Sequence, residues 1–267
     1  MRAVAIVLSL VLCTTAAHGL SLISVKDEIA MGREAQQQVK KTVPVLADAE
    51  VTAYIARLGK TLAARARGPA YPYSFSVANN RDLNAFALPG GPVWIHRGIL
   101  HTAANESQVA GVLAHEIAHI AERHAADQIT KQLVANGFLG LLGAVLGNDP
   151  GGARTAQVGA RILAGGYLLK FSRDDERDAD RVGLEILRRA GWDPRGMADF
   201  MDVLRREQGR DPGAVDVFLS THPAPAERAV ALRQLAGQHP GGRKDSAAFR
   251  AVKTRVLKLP PAPKSSR

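Results

Sequence analysis

The sequence predicts an α+β fold that is predominantly helical and carries one small antiparallel sheet. Most segments between residues 25 and 235 repeat apolar residues at the spacing of a helix face, whereas the alternation typical of strands is confined to residues 71–95. The 267 residues, 46% of them hydrophobic, suffice for one domain of ordinary size or two small ones. We expect one domain over residues 20–240, after a leader (1–19) and before a basic amphipathic segment with a disordered tail (241–267).

The first 19 residues are typical of a secretory signal peptide, which predicts an exported protein. Arg2 precedes an apolar run from 3 to 12, and small residues then allow cleavage after Ala17 or Gly19. The run is too short to span a membrane. A lipoprotein signal ending at Cys13 is one alternative, although Leu12 stands where a small residue is wanted, and an uncleaved anchor is another.

Composition narrows the chemistry that the chain can perform. Cys13 is the single cysteine and lies in the leader, so a mature chain would form no disulfide and would bind metals through His, Asp and Glu. The net charge of +10 comes from dispersed Arg and Lys without a long basic run or interleaved aromatic residues. We interpret it as a basic surface and expect no nucleic-acid partner.

Two helices are expected before the sheet, over residues 25–41 and 48–65, as structural elements that cover the core. Residues 71–95 then predict three short strands, and a short helix is expected over residues 97–102. The middle strand either pairs with an extended peptide as an edge strand or is purely structural; it comprises Asn84, Ala85, Phe86, Ala87 and Leu88.

Residues 105–124 predict the helix around which the chain is organised. Asn105 is an N-cap residue, and Gln108 stands where it can complete a capping box. The apolar stripe of this helix consists of Val109, Val112, Leu113 and Ile120.

Three chemical side chains lie on or beside that stripe, in the pattern H-E-I-A-H. His115 and His119 are one turn apart at its edge, and Glu116 falls within it, where an unpaired carboxylate is costly. In H-E-x-x-H two imidazoles bind zinc and the Glu takes a proton from water. A plain helix with a salt-bridged Glu and two surface histidines is the alternative, because the motif recurs by chance.

Residues 131–169 contain two glycine-rich segments between 137 and 166. The first is shorter than a membrane span needs. A buried helical hairpin is our preferred interpretation, followed by a mobile cover over the active-site cleft and then by a peripheral membrane contact.

A second chemical helix is predicted over residues 171–190. Ser172 can cap it, and Glu176 and Asp180 lie on one line that becomes apolar at Gly183. Glu176 can be the third zinc ligand, Asp180 can orient a ligating histidine, and Ala179 with Gly183 would let two helices approach closely. An acidic first turn neutralised by the helix dipole and by arginines is the alternative.

A further helix is expected over residues 192–208. His222 follows in a proline-rich loop, and a lone loop histidine is usually structural or exposed. Arg228 lies in the helix after that loop, which we expect to end near residue 235.

The ordered motifs resemble a known family. H-E-I-A-H at 115–119, E-R-D-A-D at 176–180, N-A-F-A-L-P-G-G at 84–91, R-G-I-L at 97–100 and T-H-P-A-P-A-E-R at 221–228 are similar to gluzincin metallopeptidases of the CAAX-prenyl-protease-like family. The closest likeness is to soluble bacterial periplasmic members related to the beta-barrel-assembly-enhancing protease. The resemblance spans roughly residues 28–235. Unlike other members, this chain is expected to lack the long membrane spans of the integral members and the helical-repeat domain of some periplasmic ones.

The resemblance implies a zincin-type domain in the periplasm, membrane association remaining open, with one Zn²⁺ per chain held by His115, His119 and Glu176. It implies Glu116 as catalytic base, His222 near the metal as carbonyl polariser or as occupant of the open position, and residues 84–88 as the substrate-side edge strand. Asp180 and Arg228 are expected to support the ligands. Oligomeric state is left open.

The sequence is compatible with three functions. The first is a zinc endopeptidase that hydrolyses misfolded or unassembled envelope proteins. The second is a chaperone-like envelope assembly factor with a latent, autoinhibited zinc site. The third, a basic nucleic-acid binder, is hard to reconcile with export.

Overall fold

The computed structural model describes residues 23–135, 170–223 and 225–264. The predicted leader and the glycine-rich segment at 137–166 lie outside these ranges. The described part is predominantly helical with one three-stranded sheet, which confirms the predicted fold class. No helix in these ranges combines the length and apolar character needed to cross a membrane.

Two helices precede the sheet, as the sequence predicts. Helix α1 (Val25–Thr42) begins at Ser24, which forms a reciprocal capping box with Asp27. Helix α2 (Ala49–Ala63) begins at Asp48, whose side chain accepts from the Val51 N–H at 3.1 Å.

The sheet is mixed, so the prediction of a wholly antiparallel sheet is wrong. Strands β1 (Ser74–Ala78), β2 (Ala85–Ala87) and β3 (Pro92–His96) lie in the order β1-β3-β2. β2 is antiparallel to β3, whereas β1 is parallel to it. The physical reason is that the chain leaves β1 through irregular residues instead of a tight hairpin, so that β3 inserts between β1 and β2.

The two edges of this sheet differ. The Leu46 N–H donates to Val77 O, and Val45 bridges Ala78, so the preceding segment covers the outer edge of β1. Among the described residues, only β3 pairs with β2. The segment predicted as an edge strand is therefore an edge strand in the structure.

Three helices follow directly: α3 (Arg97–Thr102), α4 (Glu106–Ala121) and α5 (His124–Ala135). Every residue of α4 is buried, because the sheet side, α2 and the C-terminal helices all pack on it. The predicted continuous helix from 105 to 124 ends early, since Arg123 adopts a left-handed φ of 62° and starts α5 in a new direction.

The C-terminal half consists of α6 (Arg173–Arg189), α7 (Arg195–Arg210), a 3₁₀ turn (Pro212–Ala214), α8 (Asp216–Thr221), α9 (Pro225–Gly237) and α10 (Ala247–Lys258). α4 packs against α6 and α7. As the sequence predicts, Gly183 permits this approach: a Cβ there would stand 3.3 Å from the backbone of Ala114.

The described residues beyond 240 pack on the same hydrophobic core as the rest of the domain. Arg243 lies 3.7 Å above the ring of Trp192, and Phe249 and Val256 of α10 join the main hydrophobic cluster.

The extended residues after α10 are held by hydrogen bonds to the domain. Pro260 O accepts from the Arg97 side chain at 2.5 Å, and Pro263 O accepts from the Arg81 N–H at 2.9 Å. Because Arg97 is buried, its guanidinium needs an acceptor within the protein, and the tail supplies one.

Candidate metal centre

Helix α4 delivers three polar side chains into the interior. His115, Glu116 and His119 are 2%, 0% and 1% exposed. The helix begins where the sequence predicts, because the Asn105 side chain accepts from the Gln108 N–H at 3.2 Å. The Gln108 side chain reaches back one residue further than the cap and accepts from the Ala104 N–H. These two hydrogen bonds satisfy one backbone N–H in the first turn and one just before the cap.

Helix α6 brings Glu176 against both histidines. The carboxylate lies with Oε2 3.4 Å from Nε2 of His115 and with Oε1 3.5 Å from Nε2 of His119. The two Nε2 atoms are themselves 3.1 Å apart. Ser172 and Asp175 form the capping box that fixes the start of α6 one turn before Glu176.

A fourth donor comes from the loop after α8. Nδ1 of His222 lies 2.8 Å from Oε1 of Glu176 and 3.4 Å from Nε2 of His115. Its Nε2 points toward Oε1 of Glu116 at 3.6 Å, which is longer than a hydrogen bond. The His222 ring is buried and stacks on Phe218 of α8 at a centroid distance of 4.7 Å.

These donors suit a zinc ion. One ligand atom from each of His115, His119, Glu176 and His222 lies within 4.8 Å of the other three. Imidazole nitrogens and a carboxylate oxygen are ligands that Zn²⁺ prefers in tetrahedral sites. Both oxygens of the fully buried Glu116 lack a hydrogen-bond partner among the described residues, although it lies beside this cluster. A buried carboxylate of this kind demands a positive or hydrogen-bonding partner, which a cation with its water supplies.

The pKa values of Glu176 and His115 show that the groups of this cluster stabilise one another's charge. Burial opposes ionisation of Glu176, but the charge of His222 and hydrogen bonds with His115 and His119 outweigh it and hold the pKa of Glu176 well below its ordinary value. Burial alone would lower the pKa of His115, but its hydrogen bonds to Asp180 and Glu176 raise the pKa to about 9. The buried carboxylates therefore need positive charge nearby, and a divalent cation held by the same donors would supply it.

Burial is the main cause of the pKa shifts of His119 and Glu116, the other two polar side chains of α4. The pKa of His119 falls well below its ordinary value because burial disfavours the imidazolium. Burial raises the pKa of Glu116, although the charges of His222 and His115 lower it in part. A neutral His119 keeps a lone pair for a metal, and a carboxyl with a raised pKa suits proton transfer.

Asp180 and Arg228 form a buried pair behind the ligands. Oδ1 of Asp180 lies 3.1 Å from Nδ1 of His115, and Arg228 donates to both Asp180 oxygens at 2.8 and 2.6 Å. Arg228 also contacts Oε2 of Glu176. One guanidinium thus links the helper carboxylate and the candidate ligand carboxylate, a geometry that only a forked donor offers.

Sequence reasoning missed two neighbours of His119. Its Nδ1 lies 2.9 Å from Nδ1 of His124, and its ring stacks on Phe171 at a centroid distance of 3.9 Å. Residues five apart do not face each other on a helix, so the spacing of His119 and His124 does not predict a contact. The two rings meet because the backbone takes a left-handed turn at Arg123. Phe171 precedes the N-cap Ser172 of α6, and the sequence there predicts the helix start but not a contact with His119.

The edge strand β2 packs on α4, the helix that carries the histidines. Phe86 is buried and stacks on Trp94 of β3, so its side chain secures the strand from one face. The backbone edge facing away from β3 is the one that a peptide can join.

The chain is similar to known proteins over most of its length. The sequence pattern of peptidase family M48 matches residues 49–236. The chain is 34% identical to the beta-barrel assembly-enhancing protease of Yersinia pestis over 242 residues, covering 88% of this chain and 49% of that protein. It is 33% identical to the protein of the same name in Escherichia coli K12, covering 89% and 50%. It is also 33% identical to the mitochondrial metalloendopeptidase OMA1 of Schizosaccharomyces pombe over 177 residues, covering 66% and 50%.

The chain therefore spans about half the length of the curated relatives it matches. The matched region of the family includes both helices of the candidate metal centre and the loop of His222. The resemblance that the ordered motifs carry is confirmed, and the chain belongs to peptidase family M48.

Proposed function

We propose that this protein is a zinc-dependent endopeptidase in which His115, His119 and Glu176 hold one Zn²⁺. The observation that carries the proposal is the convergence of these three buried side chains from α4 and α6, with the buried Glu116 carboxylate beside them. Burying several ionisable groups together costs free energy, and a shared metal ion would offset that cost.

Zinc, when bound, polarises a carbonyl oxygen and lowers the pKa of water. Glu116 accepts the proton of the attacking water and passes it to the leaving amine, a role that its burial and raised pKa support. Asp180 accepts a hydrogen bond from Nδ1–H of His115, which keeps the proton on Nδ1 and leaves Nε2 free as a ligand. Arg228 keeps Asp180 and Glu176 ionised by pairing with both.

The substrate is a protein or peptide held in extended form along β2. The edge of Ala85–Ala87 that faces away from β3 has no partner strand within the described ranges. Its backbone donors and acceptors bind any sequence and leave specificity to the side-chain pockets. Asn84 and Leu88 flank this strand and are buried, so they anchor it to the domain.

We place the protein in the bacterial periplasm, acting on misfolded or unassembled envelope proteins. The N-terminal 19 residues support export, and two relatives carry the name beta-barrel assembly-enhancing protease. We also propose a peripheral membrane contact through residues 137–166, which lie outside the described residues.

The test compares wild type with Glu116→Gln, which keeps the shape of the side chain and removes its basicity. We expect unchanged zinc content by elemental analysis and a fall in casein cleavage of roughly 10²–10⁴-fold. The matched control is Glu50→Gln on α2, whose side chain is 72% exposed, and it should leave both quantities unchanged. Full activity of Glu116→Gln would remove the assignment.

A second candidate, a chaperone-like assembly factor with a latent zinc site, is favoured by the position of His222. Catalytic zinc sites keep three protein ligands and one open position, whereas His222 offers a fourth donor atom within 4.8 Å of those of His115, His119 and Glu176. His222→Ala should then raise casein cleavage while zinc remains bound. If this variant stays inactive with zinc bound, autoinhibition by His222 is wrong, and binding of unfolded envelope proteins would then favour a chaperone-like function without proteolysis.

A further inference from the structure

We propose that His124 and Asp178 are positioning residues that fix the tautomer and orientation of His119. The inference rests on the proposed function, because it assumes that Nε2 of His119 is a zinc ligand. It assigns to the second histidine of the motif a support of its own, distinct from the Asp180–Arg228 pair that supports His115.

The hydrogen-bond geometry determines which nitrogen carries the proton. Nε2 of His119 faces His115 and Glu176, so as a ligand it must be unprotonated and the proton must sit on Nδ1. That Nδ1 lies 2.9 Å from Nδ1 of His124. Two protonated or two bare nitrogens would repel each other at this distance, so Nδ1 of His124 accepts and its own proton sits on Nε2.

Asp178 stands where that last proton is directed. Its Oδ2 lies 3.7 Å from Nε2 of His124, and its Oδ1 pairs with Arg181 at 2.5 Å on the same helix. The carboxylate therefore favours the Nε2–H tautomer of His124 electrostatically without withdrawing its proton. The result is a line of three side chains in which His119 donates a hydrogen bond to His124, and the Asp178 carboxylate faces the Nε2–H of His124 from beyond hydrogen-bond distance.

The backbone of Arg123 places His124 on this line. Its left-handed φ of 62° is unfavourable for a residue with a Cβ, and it turns the chain so that the next side chain folds back over His119. Arg123 Nε donates to Oε1 of the buried Glu28 at 2.6 Å, and its guanidinium also contacts Ile23 O. Helix α1 thus holds the turn through this ion pair.

Burial makes the hydrogen bond from His119 necessary. The residues His119 and His124 are 1% and 5% exposed, and Phe171 covers His119 by stacking on it. Water therefore has little access as a substitute acceptor. Loss of the His124 acceptor would leave a buried N–H unsatisfied and the His119 ring free to rotate.

The experiment measures zinc dissociation constants by competition with a chromogenic chelator, for the full chain and three variants. His124→Leu removes the acceptor, and we expect zinc affinity to fall about 10–100-fold. His124→Asn places an amide oxygen near the position of Nδ1, and we expect it to stay within about threefold of wild type. His101→Leu on the surface of α3 is the matched control and should change nothing.

Two further measurements separate positioning from folding. Thermal unfolding of the chelator-treated variants reports stability without metal, and nitrogen-15 NMR of zinc-loaded wild type reports the ring tautomers. We expect His119 protonated on Nδ1 and His124 protonated on Nε2. Equal zinc affinity of His124→Leu and wild type, or a proton on Nδ1 of His124, would overturn the inference while leaving the proposed peptidase intact. Failure of wild type to bind zinc would instead overturn the proposed function, and with it this inference.

Discussion

Oδ1 of Asp180 lies 3.1 Å from Nδ1 of His115, while the other ring nitrogen of His115 faces His119 at 3.1 Å. The imidazole is therefore held from behind by a carboxylate and presents its remaining nitrogen to the ligand cluster. Asp180 is itself fixed by two hydrogen bonds from Arg228. A ligating histidine whose second nitrogen donates to a carboxylate is more basic and better oriented than a free one.

Asp180→Asn should weaken zinc binding by about 10–100-fold, because an amide is a poorer acceptor for the His115 proton and cannot balance the Arg228 charge. The measurement is chelator competition on purified protein. Glu185→Gln removes the same charge from the outer face of α6, where Glu185 pairs with Arg188 and Arg189, and should leave zinc affinity unchanged. Equal affinity of the two variants would contradict a supporting role for Asp180.

Regular helices explain which parts of the site could be predicted from the sequence. His115 and His119 are four residues apart, as are Glu176 and Asp180, and a helix places such pairs on one face whatever surrounds them. The caps at Asn105 and Ser172 made the helix starts readable as well. The structure brings all these side chains together, and their chemical roles stay predictions.

The rest depended on irregular backbone, which local sequence does not encode. His124 reaches His119 only because Arg123 takes a left-handed conformation that a buried Glu28 stabilises from another helix. The parallel pairing of β1 with β3 likewise depends on how the chain crosses the sheet, and strand periodicity is silent about direction. The hydrogen bonds from Arg97 to Pro260 O and from Arg81 to Pro263 O could not be predicted either, because they join residues far apart in the sequence.

Gly183→Leu should loosen the contact between the two ligand-bearing helices. A Cβ at this position would stand 2.6 Å from Met197 Cε and 3.3 Å from the Ala114 backbone, so a larger side chain must push α6 away from α4. We expect a loss of about 1–3 kcal/mol in the free energy of unfolding, together with weaker zinc binding. Gly209→Leu on α7 is the control, since a Cβ there would meet nothing within 4 Å. The measurements are the unfolding midpoint and the zinc affinity of each variant. Equal values for Gly183→Leu and Gly209→Leu would refute the close-packing role of Gly183.

Ending the chain at Leu259 should destabilise the domain, because Arg97 is only 6% exposed and donates to Pro260 O. Without that acceptor a buried cation needs water, and we expect the free energy of unfolding to fall by about 1–2 kcal/mol. A chain ending at Lys264 keeps both tail hydrogen bonds and serves as the comparison. Denaturant titrations of the two truncated proteins give the difference. Identical midpoints would show that residues 260–264 contribute nothing to stability.

Asp48 should make stability depend on pH in the acid range. Burial opposes its ionisation, but hydrogen bonds from the Val51 N–H and from Arg255 of α10 outweigh this, so that the folded protein holds the pKa of Asp48 below its ordinary value. A lowered folded pKa means that the unfolded chain binds the proton more tightly, so the stabilisation is present above pH ~4 and is lost as pH falls through the folded pKa. Asp48→Asn keeps an N-cap acceptor and removes only the charge, whereas Asp48→Ala also removes the cap, at a further cost of about 1 kcal/mol. Urea titrations from pH 7 to pH 3 should therefore give wild type a larger free energy of unfolding than Asp48→Asn at neutral pH. The two free energies should converge below pH ~4. A difference that stays constant with pH would show that the carboxylate charge contributes nothing to the link between α2 and α10.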